Sequence, residues 1–204
     1  IQQKTINVES DWSSASYWYS IVALSELAEV KLKDFYKNSI QGDSVLFKYY
    51  KKMGVRTTFL KNKIILTKIK DFVYPKNISL NLVDCPDIAQ TIAVTCFGLG
   101  ISCNLNGLQT LNIKETKRLI ALKNELTKLG GKIDITESSL KLFKAEEQKK
   151  NIIINTYNDH RMAMSFAPLA LKNLIIIKDP KIVIKSYPKF WKDLKQAGFL
   201  IKQI

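Results

Sequence analysis

The chain has 204 residues, 46% of them hydrophobic, and a formal net charge of +14 at pH 7. That length suits one domain, or two small ones, with room for a core, and the composition is that of a globular protein. No apolar run is long enough to span a membrane, and no signal peptide opens the chain. The three cysteines, Cys85, Cys96 and Cys103, are odd in number and lack metal-ligand spacing, which points to reduced thiols in a cytoplasmic protein.

The excess of positive charge calls for an anionic partner: nucleic acid, a phosphorylated metabolite or a membrane surface. The lysines are spread along the chain, as in Lys48, Lys51, Lys52, Lys61, Lys63, Lys68 and Lys70, and no arginine-rich or glycine-aromatic nucleic-acid motif stands out. A solvated basic surface is therefore preferred to nucleic-acid binding.

In chain order, residues 3–8 read as a strand. Asp11-Trp12-Ser13-Ser14-Ala15-Ser16 is rich in capping residues, and 14–28 is apolar nearly all round, so a buried helix is expected there. A strand over 31–35 follows, then an amphipathic helix over 43–53 stopped by Gly54. A hairpin of 57–60 and 63–69 turns at Lys61-Asn62. The order then recurs. Residues 77–83 form a strand, Pro86-Asp87 opens an apolar helix over 87–99 ended by Gly100, and 101–105 form a strand. A long amphipathic helix over 114–129 stops at Gly130-Gly131, and a hairpin joins 132–136 to 140–143. A third pass gives a strand at 152–155, an apolar helix at 159–171 and a strand at 174–177. It ends with an amphipathic helix at 188–196, stopped by Gly198, and a strand at 199–204.

The unit is strand, buried helix, strand, amphipathic helix, hairpin, repeated about every 70 residues. The copies cover about 1–70, 76–145 and 151–204, and the second helices end alike in Lys52-Met53-Gly54, Lys128-Leu129-Gly130 and Gln196-Ala197-Gly198. The fold class is α/β, with both helices and strands in every unit and the whole of 1–204 forming one domain. The third copy lacks half its hairpin and the first residue is Ile1, which together suggest a fragment completed by further chain. A small α/β domain that ends early is the alternative.

Four places carry chemistry. Asn158-Asp159-His160-Arg161 sits at a strand-to-helix junction and holds the only histidine. Either an anion is gripped there by helix N–H groups and Arg161, or Asn158 or Asp159 caps the helix while His160 and Arg161 are merely exposed. Asp87 either caps its helix or accepts a proton from a substrate hydroxyl. Lys114-Glu115-Thr116-Lys117-Arg118 opens an amphipathic helix; Lys114 and Arg118, four apart, either share a face and grip one anion beside Glu115 or form a solvated first turn. Lys185 lies in a loop between Asp179-Pro180 and Ser186-Tyr187-Pro188. No glycine-rich phosphate loop, zinc spacing or nucleophile elbow is present, so neither a metal nor a cofactor is expected.

Together the stretches Asp11-Trp12-Ser13-Ser14-Ala15-Ser16-Tyr17, Pro86-Asp87-Ile88-Ala89, Ile113-Lys114-Glu115-Thr116-Lys117-Arg118, Tyr157-Asn158-Asp159-His160-Arg161-Met162-Ala163-Met164 and Asp179-Pro180 through Lys185-Ser186-Tyr187-Pro188 resemble the 5-enolpyruvylshikimate 3-phosphate synthase family (3-phosphoshikimate 1-carboxyvinyltransferases). The resemblance implies two similar domains, each of three βαβαββ units around buried helices, with substrates in the cleft between them. This chain resembles the C-terminal domain, so the partner N-terminal domain of the same polypeptide is missing.

The implied reaction belongs to the shikimate pathway of aromatic amino acid biosynthesis. The 5-hydroxyl of shikimate 3-phosphate adds to phosphoenolpyruvate, and phosphate leaves. By resemblance, Asp87 binds the shikimate hydroxyls and is the candidate base, Lys114 contacts the 3-phosphate, and Glu115 carries the proton to and from the methylene carbon. Arg118, Arg161 and Lys185 bind phosphoenolpyruvate, with Asp159 and His160 in support. Two departures stand out. The family usually has Asp at the position of Lys117, which predicts either a looser Arg118 or only a changed surface charge. Some members use Asn at the position of Thr110 to bind shikimate 3-phosphate. The chain alone is expected to bind substrates weakly and to turn over little or not at all. The competing readings are a basic nucleic-acid module built on the same unit, and a catalytically silent domain.

Overall fold

A computed structural model describes residues 8–145 and 147–203. Helix α1 (Trp12–Leu24) starts where the Asp11 carboxylate accepts the N–H groups of Ser13 and Ser14, both at 3.0 Å. It stops at Leu24 rather than at 28, because Ser25 turns extended and residue 28 already feeds the first sheet, its carbonyl accepting the Lys68 N–H. That sheet comprises β1 (Glu29–Lys33), β2 (Val55–Leu60) and β3 (Lys63–Lys68) in the order β1-β3-β2, with both pairings antiparallel. Between β1 and β2 lie a 3-10 turn (Gly42–Val45) and the short helix α2 (Leu46–Lys51), where the sequence predicts one helix over 43–53.

The second sheet joins β4 (Asn77–Asn81), β5 (Ser102–Asn106), β6 (Ile133–Ile135) and β7 (Ser139–Leu142) in the order β4-β5-β7-β6. Its first pair is parallel and the other two are antiparallel. Helix α3 (Ala89–Leu99) runs between β4 and β5 and ends at Gly100, which adopts the left-handed φ of 68° that suits a residue without Cβ. Helix α4 (Arg118–Lys128) connects β5 to β6. The third sheet is the parallel pair β8 (Ile152–Ile154) and β9 (Ile175–Ile177), with α5 (His160–Phe166) between them and α6 (Phe190–Gln196) after them.

The α/β class expected from the sequence is the observed one, with corrections at particular ends. The helix expected over 114–129 begins only at Arg118, because residues 114–117 are a loop and Lys114 is extended. The apolar helix over 159–171 is α-helical to Phe166 and then tightens into a 3-10 turn (Ala167–Leu171), where Pro168 supplies no N–H. Residues 199–203 form no strand: the Phe199 N–H closes α6 on the Leu194 carbonyl, and Leu200 is exposed. The strand expected at 3–8 lies outside the described residues except for Val8, which is not in a strand. Among the described residues, no helix is long and apolar enough to cross a membrane.

Helices α1, α3 and α5 pack on one another and are buried on nearly every side. Hydroxyls that would otherwise be orphaned there satisfy one another. Ser16 meets Thr91 and Thr91 meets Ser165, each at 3.1 Å, which links the three helices. A second chain runs from Ser20 to Thr95 at 2.8 Å and from Thr95 to the Tyr50 hydroxyl at 2.9 Å. The packing brings the starts of all three helices to one end of the molecule, where Ser13, Asp87 and Arg161 touch.

Candidate active site

At that end lies an ion cluster centred on Arg118. Its guanidinium is almost fully buried and faces three carboxylates. Nε donates to Asp159 Oδ2 at 2.7 Å, Nη1 to Asp87 Oδ1 at 2.8 Å and Nη2 to Glu115 Oε2 at 2.6 Å. A planar fork that never loses its charge is the one side chain able to serve three acceptors in this way.

Asp87 sits in a 3-10 turn (Pro86–Ile88) ahead of α3 and makes no capping bond. Its carboxylate instead receives Arg118, Arg161 Nη2 at 3.2 Å and Lys114 Nζ at 3.4 Å. Burial alone would raise its pKa, but Arg161, Arg118 and Lys114 outweigh burial and hold it below the usual carboxylate range. Glu115 takes Lys185 Nζ on its other oxygen at 3.2 Å. Burial again opposes ionisation there, yet its own backbone N–H, Arg118 and Lys185 bring the Glu115 carboxyl down to about 2.

Asp159 is the N-cap of α5, its carboxylate accepting the Arg161 N–H at 2.8 Å, so the free N–H expected to attract an external anion is already engaged. His160 and Arg161 are not merely exposed. The imidazole is buried, and burial together with Arg161 lowers its pKa, so it is neutral at pH 7. His160 Nδ1 is 3.8 Å from Glu115 Oε1, too long for a hydrogen bond. Both His160 Nδ1 and Arg161 Nε are buried without a partner among the described residues. Unmet polar groups in a cation cluster are what a site for a polar ligand requires.

Asp87, Lys114, Glu115, Arg118, Asp159, His160, Arg161 and Lys185 thus stand in one connected group. Lys114 and Arg118 do not share a helix face, since Lys114 precedes α4, but both reach Asp87. Lys117 is exposed, and the guanidinium of Arg118 is held by Asp159, Asp87 and Glu115 rather than by residue 117. Thr110 is exposed in the 3-10 turn Gln109–Ile113.

Sequence reasoning missed Asp43 and did not single out Ser13. The Ser13 hydroxyl donates to Asp43 and accepts from Arg161 Nη2 at 3.4 Å. Burial raises the Asp43 carboxyl above its ordinary value, against the pull of Ser13 and Arg161. Gly42, beside it, was the available signal: a Cβ there would lie 2.1 Å from the Asp84 carbonyl, so the chain packs tightly just ahead of Asp87. A separate cavity of about 350 Å³ beside Trp18, Phe35 and Tyr187 is lined by none of the eight residues, and within the cluster the Arg118 side chain is buried, those of Asp87 and Glu115 are part-buried and that of Lys185 is exposed.

A family model described as EPSP synthase (3-phosphoshikimate 1-carboxyvinyltransferase) matches residues 1–194. The chain is 45% identical over 198 residues to a 3-phosphoshikimate 1-carboxyvinyltransferase of Bacteroides fragilis, covering 96% of this chain and 48% of that protein. It is 34% identical over 194 residues to the enzyme of the same name from Methanospirillum hungatei, covering 95% and 44%. Its fold matches a solved EPSP synthase of Acinetobacter baumannii with a TM-score of 0.77 at 24% identity, covering 96% of this chain and 47% of the other. The chain spans about half the length of the curated relatives it matches.

Proposed function

This chain belongs to the EPSP synthase family, and from that premise we propose that it supplies one wall of a site that transfers the enolpyruvyl group of phosphoenolpyruvate to the 5-hydroxyl of shikimate 3-phosphate. The observation that carries the reading is the convergence of Lys114, Arg118, Arg161 and Lys185 on Asp87 and Glu115 at one end of the molecule. A substrate bearing a phosphate and a carboxylate needs several fixed cations, and the two arginines add planar geometry to charge.

In this reading Asp87 accepts the hydroxyl proton as the hydroxyl oxygen bonds to the enol carbon. Glu115 delivers a proton to the methylene carbon. When the carbon–phosphate oxygen bond breaks and phosphate leaves, that carbon returns a proton to Glu115. In the ligand-free state cations hold both carboxyls ionised, which makes Asp87 a weak base and leaves Glu115 without the proton it must deliver. Phosphoenolpyruvate resolves the conflict by taking Arg118, Arg161 and Lys185 for its own anionic groups. As those cations turn from Asp87 and Glu115, both carboxyl pKa values rise toward the range useful for proton transfer. The cations then face the charge of the tetrahedral intermediate.

Lys114 is assigned to the 3-phosphate of the shikimate substrate, with the remaining ligands supplied by a second, N-terminal domain of the same polypeptide. The unit of three βαβαββ repeats over 1–204, the last of them incomplete, is part of the same proposal, as is a cytoplasmic location, which suits the buried, unpaired Cys85, Cys96 and Cys103. The test is titration of the chain with phosphoenolpyruvate. Saturable binding that weakens by roughly tenfold in Lys185→Ala supports the assignment. Binding that is unchanged in that exposed variant contradicts it.

A further inference from the structure

Helix α4 grips the segment between β8 and α5 at two points. At its first residue Arg118 donates to Asp159. Two turns further along the same face stands Glu125, which has no exposed surface. One Glu125 oxygen accepts the Asn155 N–H at 3.1 Å and the other accepts the Tyr157 hydroxyl at 2.7 Å. Lys128 pairs with the same carboxylate. Between the two anchors Tyr157 and Asn158 both lie in the left-handed region, with φ of 53° and 58°. Side chains with a Cβ adopt that conformation in succession only where surrounding contacts enforce it. The turn they make directs the next three residues, Asp159, His160 and Arg161, at Arg118, Glu115 and Asp87.

We propose that Glu125 is a positioning residue that holds the Tyr157-Asn158 turn in its left-handed form and thereby sets His160 and Arg161 against the anion-binding cluster. It touches none of the cluster's side chains, and an ion pair with Lys128 alone would leave it no reason to reach across to a backbone N–H and a phenol. Burial and the bond to Glu125 both raise the Tyr157 pKa, so the phenol keeps the proton it donates. The claim about the turn is purely geometric; only its effect on anion binding rests on the function proposed above.

His160, the single histidine, reports the result. The experiment records the imidazole NMR signal and its titration midpoint in the full chain, first alone and then with inorganic phosphate, for the native protein, Glu125→Ala, Glu125→Gln and Tyr157→Phe. Glu125→Ala should move the signal toward that of an unstructured histidine, raise the midpoint, and weaken phosphate binding by roughly tenfold. Tyr157→Phe should move the signal the same way by less. Glu125→Gln still accepts the Asn155 N–H through its amide oxygen, and should stay within about threefold of the native affinity. An unmoved His160 signal in Glu125→Ala, even with a lower melting temperature, would overturn the proposal. If Glu125→Ala fails to fold, Tyr157→Phe decides: a displaced signal supports the role and an unmoved one refutes it. Native protein that ignores phosphate while its variants still displace His160 would count against the anion site and for the positioning role.

Discussion

Arg118 holds three carboxylates from one buried position. Replacing it by Met strands Asp87, Glu115 and Asp159 together in a poorly solvated place, which should cost about 3–5 kcal/mol in urea denaturation. Arg118→Lys should recover little of that, since three donors on one nitrogen do not span the carboxylates that Nε, Nη1 and Nη2 reach separately. Asp87 behaves in the opposite way. As the internal anion facing three cations it competes with any ligand, so Asp87→Ala should tighten inorganic phosphate by roughly tenfold, about 1.4 kcal/mol of relieved repulsion, while abolishing transfer chemistry. Equilibrium titration separates the two effects. The pH dependence follows from the same contacts. Asp87 and Glu115 are held below the roughly pH 4 at which unfolded carboxylates titrate, so their stabilisation is present above that value and lost as pH falls toward 2. His160 is lowered too, so the unfolded chain takes up its proton first below about pH 6.5. Urea midpoints should therefore fall in two stages on acidification, and His160→Gln should flatten the upper one. The residue types of this cluster were legible in the sequence, but their mutual pairing was not. The roles of Asp43 and Glu125 were hidden because each acts through a fold-level contact, Ser13 in one case and the backbone of Asn155 in the other.

Among the elements, the three buried helices were legible because a helix apolar on every side has nowhere to go but the interior. Their ends were less so. Residues 114–117 have helical composition, yet side chains of that stretch are drawn to Asp87 and Arg118, and α4 starts only at Arg118. Tertiary ion pairing overrides local propensity there. The hydroxyl chain through Thr91 gives a test at this scale. Thr91→Val keeps the shape but leaves Ser16 and Ser165 without a shared partner, and should cost about 1–3 kcal/mol by thermal or urea unfolding. Because the chain lies in the core behind the cluster, phosphate affinity of the folded protein should change little.

For the molecule as a whole, a recurring order of elements was readable from glycine stops and helix character. The structure gives two sheets in which a strand that follows a buried helix pairs antiparallel with the last strand of a hairpin, β1 with β3 and β5 with β7. Among the described residues the third sheet is the parallel pair β8 and β9, and residues 199–203 of the strand expected at 199–204 are not in a strand. Apolar alternation alone does not make a strand without a hydrogen-bonding neighbour. The cluster meanwhile lies at one end of the molecule, part-exposed through Asp87, Glu115 and Lys185, and the chain matches about half the length of its relatives. In the proposed function this cluster performs enolpyruvyl transfer only when the rest of the site is supplied. The direct measurement is phosphate release from phosphoenolpyruvate and shikimate 3-phosphate, by this chain alone and by this chain joined to the other half of the Bacteroides fragilis relative. Little or no release is expected from the chain alone, with release in the joined protein and its loss in Asp87→Ala. A joined protein that binds phosphoenolpyruvate yet releases no phosphate, or whose release survives Asp87→Ala, would contradict the proposed function.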